Sequence, residues 1–278
     1  MKNNIVAIMY DFDKTLCAKN MQEYTFIPNL NIEPSEFWKE ADNLRIEQKM
    51  DQVLTYMYLM QKKMNDVNKP LKKEYLNKLG KDILLYDGVE EWFERINKYG
   101  KEHGLIIEHY IISSGLKEII EETKIGKYFK NIYASEYLYN EKSEAVWPKI
   151  AINYTNKTQF LIRINKGILD TSDDYNINKR MDSINKRIPT TNMIYIGDGI
   201  TDVPCMKLTK ERGGVSIAVY NNKSIKTAKS LYDDERINYY VKADYRENSQ
   251  IDQIVKKTIL AMSISNELKN FSFKENIK

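Results

Sequence analysis

"IVAIMYDFDKTL", residues 5–16, runs apolar for six residues and then sets two aspartates one phenylalanine apart, with a threonine close behind. The first half has the length and β-branched content of a strand buried on both faces. A single carboxylate at a strand end is ordinary turn chemistry. Asp11 and Asp13 together are more particular, and their meaning depends on what the rest of the chain brings beside them.

Four more short runs share the character of the first: "EHYII" (108–112), "NMIYI" (192–196), "GVSIAV" (214–219) and "NYYV" (238–241). Helix-period segments lie between them. In "GVEEWFERINKYG", Trp92, Phe93, Ile96 and Tyr99 share a face, and Gly100 is a candidate C-cap. In "SGLKEIIEETKIG", Leu116, Ile119 and Ile120 form a stripe ending before Gly126, and "KTQFLIRINKG" repeats the pattern up to Gly167. Strands alternating with helices predict an α/β fold with a parallel, doubly wound sheet.

Residues 18–86 break the alternation. They carry Met, Tyr, Leu and Lys at helical spacing, as in "MDQVLTYMYLMQKKM", with no clear strand. This predicts a mostly helical insertion after the first strand, the core being residues 1–17 and 87–278. The polar stretch 168–191 reads as a surface excursion with one helix, and the tail "KNFSFKENIK" as frayed or loosely docked.

Composition narrows the class of molecule. A hydrophobic fraction of 42% with 29% charged residues describes a soluble globular chain. The net charge of +4 arises from 43 basic and 39 acidic residues spread along the chain, which argues against a nucleic-acid partner. Two cysteines, Cys17 and Cys205, give no disulfide framework and fit a reducing, cytoplasmic setting. No run approaches the roughly 20 apolar residues of a membrane span, and the N-terminus does not read as a signal peptide.

Ligands of open α/β sheets bind at the carboxyl ends of the strands. There the first strand places Asp11, Asp13 and Thr15; the second places Ser113, Ser114 and Gly115; the third, through "GDGITD", places Asp198 and Asp202. Lys157 opens the "KTQFLIRINKG" helix and points toward the same edge, whereas Lys166 closes that helix and points away, so Lys157 is favoured as the site lysine. Crowded carboxylates call for a divalent cation, and all-oxygen donors favour Mg²⁺. A carboxylate can act as nucleophile and a neighbouring carboxyl as acid and base. A phosphoryl group suits the lysine, the serine hydroxyl and a helix N-terminus.

"DFDKTL", "IISSG", a helix-opening lysine and "GDGITD", in this order, resemble the four motifs of the haloacid dehalogenase superfamily, with the insertion where that superfamily carries a type 1 cap. The resemblance implies a Rossmann-like fold and Mg²⁺-dependent hydrolysis of a small phosphorylated metabolite. It implies Asp11 as nucleophile and Asp13 as acid and base. Ser113, with Ser114, Gly115 and Lys157, would bind phosphate. Asp11, the Asp13 carbonyl and Asp198 would hold the metal, supported by Asp202. Lys14 stands where the superfamily often has glycine. The chain is also similar to phosphoserine phosphatases in cap position and in "DGVEEWFERI". Those enzymes carry a substrate-gripping glutamate where this chain has Asn20, with Glu23 three residues on and Arg45 the candidate for a substrate carboxylate. Phosphoserine is therefore the second choice of substrate. A phosphotransferase or mutase, and a non-catalytic phosphate-binding regulator, are the other readings.

Overall fold

Residues 4–274 are described by a computed structural model. The chain opens with β1 (Ile5–Tyr10) and leaves the sheet for α1 (Pro34–Gln48), α2 (Gln52–Asp66) and α3 (Lys73–Leu79). It returns through α4 (Val89–Glu102) to β2 (Ile106–Leu116), then a short α5 (Lys117–Glu121), β3 (Phe129–Tyr139) and β4 (Ala145–Ile150). There follow α6 (Thr158–Lys166), α7 (Asp174–Asn178), β5 (Met193–Gly197) and α8 (Val203–Glu211). The chain closes with β6 (Val215–Tyr220), α9 (Ile225–Asp233), β7 (Tyr239–Lys242) and α10 (Gln250–Lys274).

The spatial order is β4-β3-β2-β1-β5-β6-β7. All neighbours are parallel except the β3–β4 pair. β1 is central because both its faces are apolar: Val6, Ile8 and Tyr10 enter the core beneath α4 and α10, and Ala7 and Met9 enter the core beneath α6, α8 and α9. The sequence switches direction beside β1, between β2 and β5, which opens a crevice at their carboxyl ends. The chain exits at Cys17 and re-enters at Leu85, and these two form a β-bridge, with Tyr86 N–H donating to Leu16 O at 2.9 Å. Residues 18–86 thus depart from and return to one point. Among the described residues, no helix is long and apolar enough to cross a membrane.

The five expected strands are present, and two more were not anticipated. β3 carries Lys130, Asn131, Ser135 and Glu136 among its apolar residues, and β4 exposes Val146 and Trp147 around Pro148, so neither has the uninterrupted apolar run of a central strand. Their charges are satisfied by neighbours: Lys130 by Glu108 and Lys149 by Glu136. Proline is admissible in β4 because that strand is an edge. Two helix ends also differ from expectation. α4 runs past Gly100, which is buried inside it; a Cβ there would come within 2.4 Å of Ile107 Cγ1. α5 stops at Glu121, well before Gly126. Gly167 does cap α6, in the left-handed region at φ 79°. The tail continues α10 helically as far as Lys274, and residues 275–278 lie outside the described part.

A buried hydrogen-bond chain ties α4 to the sheet. Trp92 Nε1–H donates to Tyr10 Oη (2.9 Å), Tyr10 pairs with His109 Nδ1 (3.0 Å), and His109 Nε2 pairs with Asn97 Oδ1 (3.0 Å). With the tyrosine donating, the ring is neutral and carries its proton on Nε2. Burial pushes His109 down to about 3, from an ordinary 6.5. Between those two values the unfolded chain binds a proton that the folded chain does not, so stability falls as pH is lowered through that window, by up to about 1.4 kcal/mol per pH unit. Urea titrations across the window should show this slope, and His109→Gln should make it shallower by one proton; an unchanged slope would assign it to other groups.

Candidate active site

Asp11 leaves β1 at the sheet's central crevice, its N–H donating to Ile196 O of β5 at 2.9 Å. A tight turn follows, in which Thr15 and Leu16 N–H both reach back to Phe12 O. Lys14 takes φ 60° within it, a left-handed conformation in which glycine would be less strained. The turn brings Asp13 round so that its Oδ1 accepts from Met21 N–H at 2.9 Å.

The carboxylates of Asp11, Asp198 and Asp202 offer oxygens that all lie within 4.8 Å of one another. Lys157, only 1% exposed, donates to Asp11 Oδ1 at 2.9 Å and to Asp202 Oδ1 at 2.8 Å. Burial opposes the charge on Lys157, but the two carboxylates outweigh it and hold the ammonium above the ordinary lysine range. Lys166, at the far end of α6, donates instead to Ile177 O and Lys179 O, which settles the orientation of that helix. Asp202 Oδ1 takes a second donor, Tyr195 OH, at 2.8 Å, while its buried Oδ2 has no hydrogen-bond partner and lies against Gly197.

The Ser113–Ser114–Gly115 stretch is the last part of β2. Ser113 is buried, its Oγ accepting from Gly115 N–H at 3.0 Å, so it does not cap α5. A Cβ on Gly115 would come within 2.1 Å of Met21 Cε and 3.3 Å of Asp13 Oδ2. A larger residue would have to displace the Met21 side chain, and the close approach to Asp13 brings the second strand end against the first. Ser114 O accepts from Tyr56 OH of α2 at 2.6 Å and from Ser135 Oγ at 3.3 Å.

Burial, and after it the neighbouring charges, set the site's proton affinities. Burial first, and then the Asp11 carboxylate, push Asp13 up to about 8. Burial also raises Asp11, against the pull of Lys157, and raises Asp198 well above the usual range with Asp11 and Asp202 adding to it. The Cys17 thiol is raised by burial and by Asp13, as suits a packing group. Two of the positions weighed for an amino-acid substrate are engaged otherwise. Glu23 Oε1 accepts from Trp38 Nε1 (2.8 Å) and Asn20 Nδ2 (2.5 Å), and Arg45 pairs with Asp42 at 3.3 Å on its own helix.

Tyr195, Tyr56 and Met21 were not singled out from the sequence. Tyr195 and Tyr56 sit at buried positions of a strand and a helix, where an aromatic reads as core; only the position of their hydroxyls marks them. Met21 gave a weaker signal still, being one apolar residue in an irregular loop.

The haloacid dehalogenase-like hydrolase family model matches residues 8–207. A protein of Borreliella burgdorferi, itself uncharacterised, is 25% identical over 289 residues, spanning 94% of this chain and 99% of that one. Among solved structures, a hydrolase of the same family from Salmonella enterica serovar Typhi superposes with a TM-score of 0.59 at 17% identity, over 92% of this chain and 71% of that one. A phosphoserine phosphatase, solved as a phospho-aspartyl intermediate analogue, gives 0.56 at 16% identity, over 92% and 99%. At such identities the superpositions speak for the fold. The family match covers the four acidic motif positions and Lys157, and the chain belongs to the haloacid dehalogenase-like hydrolases.

Proposed function

We propose that the protein is a phosphatase that hydrolyses a small phosphorylated metabolite through an aspartyl-phosphate on Asp11. One observation carries this reading: a buried lysine bridges Asp11 and Asp202 while Asp13, two residues along, keeps a raised proton affinity. The lysine keeps Asp11 charged and available as a nucleophile, and Asp13 is held near neutrality as an acid. Asp11 attacks phosphorus, the bond to the leaving oxygen breaks, and Asp13 supplies the proton that oxygen needs. Water then attacks the same phosphorus, Asp13 takes its proton, and the Asp11 carboxylate is released with inorganic phosphate. Ser113 and Lys157 bind the transferring oxygens, with Ser114 and Gly115 completing that strand end.

The donor set fits a hard divalent cation: three carboxylates offer oxygens within 4.8 Å of one another, and one of those residues, Asp202, also has a buried oxygen without a partner. Asp11, Asp198 and the Asp13 carbonyl would hold Mg²⁺, with Asp202 in support. When bound, the ion would offset the negative charge of carboxylates and phosphoryl group. Residues 18–86 act as a cap that excludes water from the core formed by 1–17 and 87–278. Glu23 is held by Trp38 and Asn20, whereas Arg45 is engaged only in an exposed pair with Asp42, worth little, so phosphoserine stays the second choice of substrate.

A generic aryl phosphate tests the assignment. EDTA should remove its hydrolysis, Mg²⁺ should restore it, and Ca²⁺ should inhibit because it prefers more ligands. Full activity in EDTA would contradict the metal assignment of Asp198.

A further inference from the structure

Asp51 lies in the helical segment, far in sequence from every proposed site residue, yet it is tied to the loop that places Lys157. Its Oδ1 caps α2 by accepting from Val53 and Leu54 N–H at 2.9 and 3.1 Å. Its Oδ2 accepts from Asn153 Nδ2 at 2.7 Å, across 102 residues. Asn153 is the organiser of the turn entering α6. Its Oδ1 accepts from Thr155 N–H, Thr155 Oγ1 and Asn156 N–H, and its backbone carbonyl accepts from Asn156 and Lys157 N–H. With all those donors on Oδ1, the amide cannot turn over without breaking the turn. Its Nδ2 is therefore committed to face Asp51. One and a half turns further along α2, Tyr56 OH holds Ser114 O, so the first turns of α2 touch both phosphate-binding elements.

We infer that Asp51 is a positioning residue: through Asn153 it fixes the first turn of α6 and so the ammonium of Lys157 toward Asp11. The inference rests on the phosphatase reading for its catalytic consequence, but the hydrogen bond itself can be tested without turnover. It makes the placement of the phosphate-site lysine depend on the helical segment being seated on the core.

Exchanging the two side chains tests it. Asp51→Asn keeps a good helix cap but sets one amide N–H₂ against another. Asn153→Asp keeps the turn but sets two carboxylates against each other. The double variant Asp51→Asn/Asn153→Asp rebuilds the bond with donor and acceptor reversed. In the full-length protein, each single change should raise KM for an aryl phosphate and the inhibition constant of inorganic phosphate by roughly tenfold, the worth of one hydrogen bond to a charged group. Amide hydrogen exchange should quicken in residues 153–160. The double variant should recover both readouts. Single variants that bind phosphate as the wild type does, or a double variant no better than the singles, would overturn the inference. If the wild type neither hydrolyses nor binds phosphate, the phosphatase reading fails, and the exchange pattern of the three variants still decides the positioning claim.

Discussion

Replacing Asp11 by asparagine is expected to abolish hydrolysis while leaving the fold intact. The amide is a poor nucleophile and a weaker donor to a cation, so both halves of the proposed chemistry are lost with one atom. A single catalytic acid or base contributes about 100-fold or more, and a covalent nucleophile should exceed that. Stability should move the other way. Burial and its acidic neighbours already disfavour the Asp11 charge, and Lys157 keeps Asp202 as a partner in the variant. The melting temperature in EDTA should therefore be unchanged or raised, as happens where a functional group is held at some cost to stability. A loss smaller than about 100-fold would count against covalent catalysis at this position.

Lys157→Ala carries the second large effect. The ammonium neutralises Asp11 and Asp202 in the free protein and would face the phosphoryl dianion in the complex. Its removal should raise KM and lower kcat together, because the charge is needed in both the bound and the transition states. It also leaves two buried carboxylates without their cation, a change that typically costs about 3–5 kcal/mol when one partner of a buried pair is removed. Unfolding should be measured alongside kinetics, so that lost activity is separated from lost protein. Lys166→Ala is the control. It frees the carbonyls of Ile177 and Lys179 from one surface anchor, which should cost about 1 kcal/mol of stability and leave kinetics untouched. A dead Lys166→Ala beside an active Lys157→Ala would contradict the placement of α6.

The strands legible in the sequence were those with a compact apolar or aromatic run, most sharply in the middle of the sheet and, through its tyrosines and valine, at the β7 edge. β1, β5 and β6 sit in the middle of the sheet, so their residues are almost all apolar, Ser216 excepted, and their boundaries fall within a residue of expectation. β4 escaped because an edge strand need not be apolar, and β3, its inner neighbour, because Lys130, Asn131, Ser135 and Glu136 interrupt its apolar residues and register shifts break its alternation. Gly100 misled for a related reason. It lacks a side chain to make room for Ile107, and a helix-ending glycine looks the same in sequence. At the site, the carboxylates and Lys157 were visible because they recur together at neighbouring strand and helix ends, where one alone would read as turn chemistry. Tyr195 and Asn153 matter through one polar atom each, aimed at Asp202 in the first case and at Asp51, 102 residues away, in the second, and sequence spacing does not encode where those atoms point.

The central step is the phosphorylation of Asp11 during turnover. Borohydride added to the wild-type protein while it hydrolyses an aryl phosphate in Mg²⁺ should reduce the acyl phosphate, and peptide mass spectrometry should then find homoserine in place of aspartate at position 11, with none in Asp11→Asn. Continued turnover with Asp11 intact, or reduction at Asp13 or Asp198 instead, would contradict it.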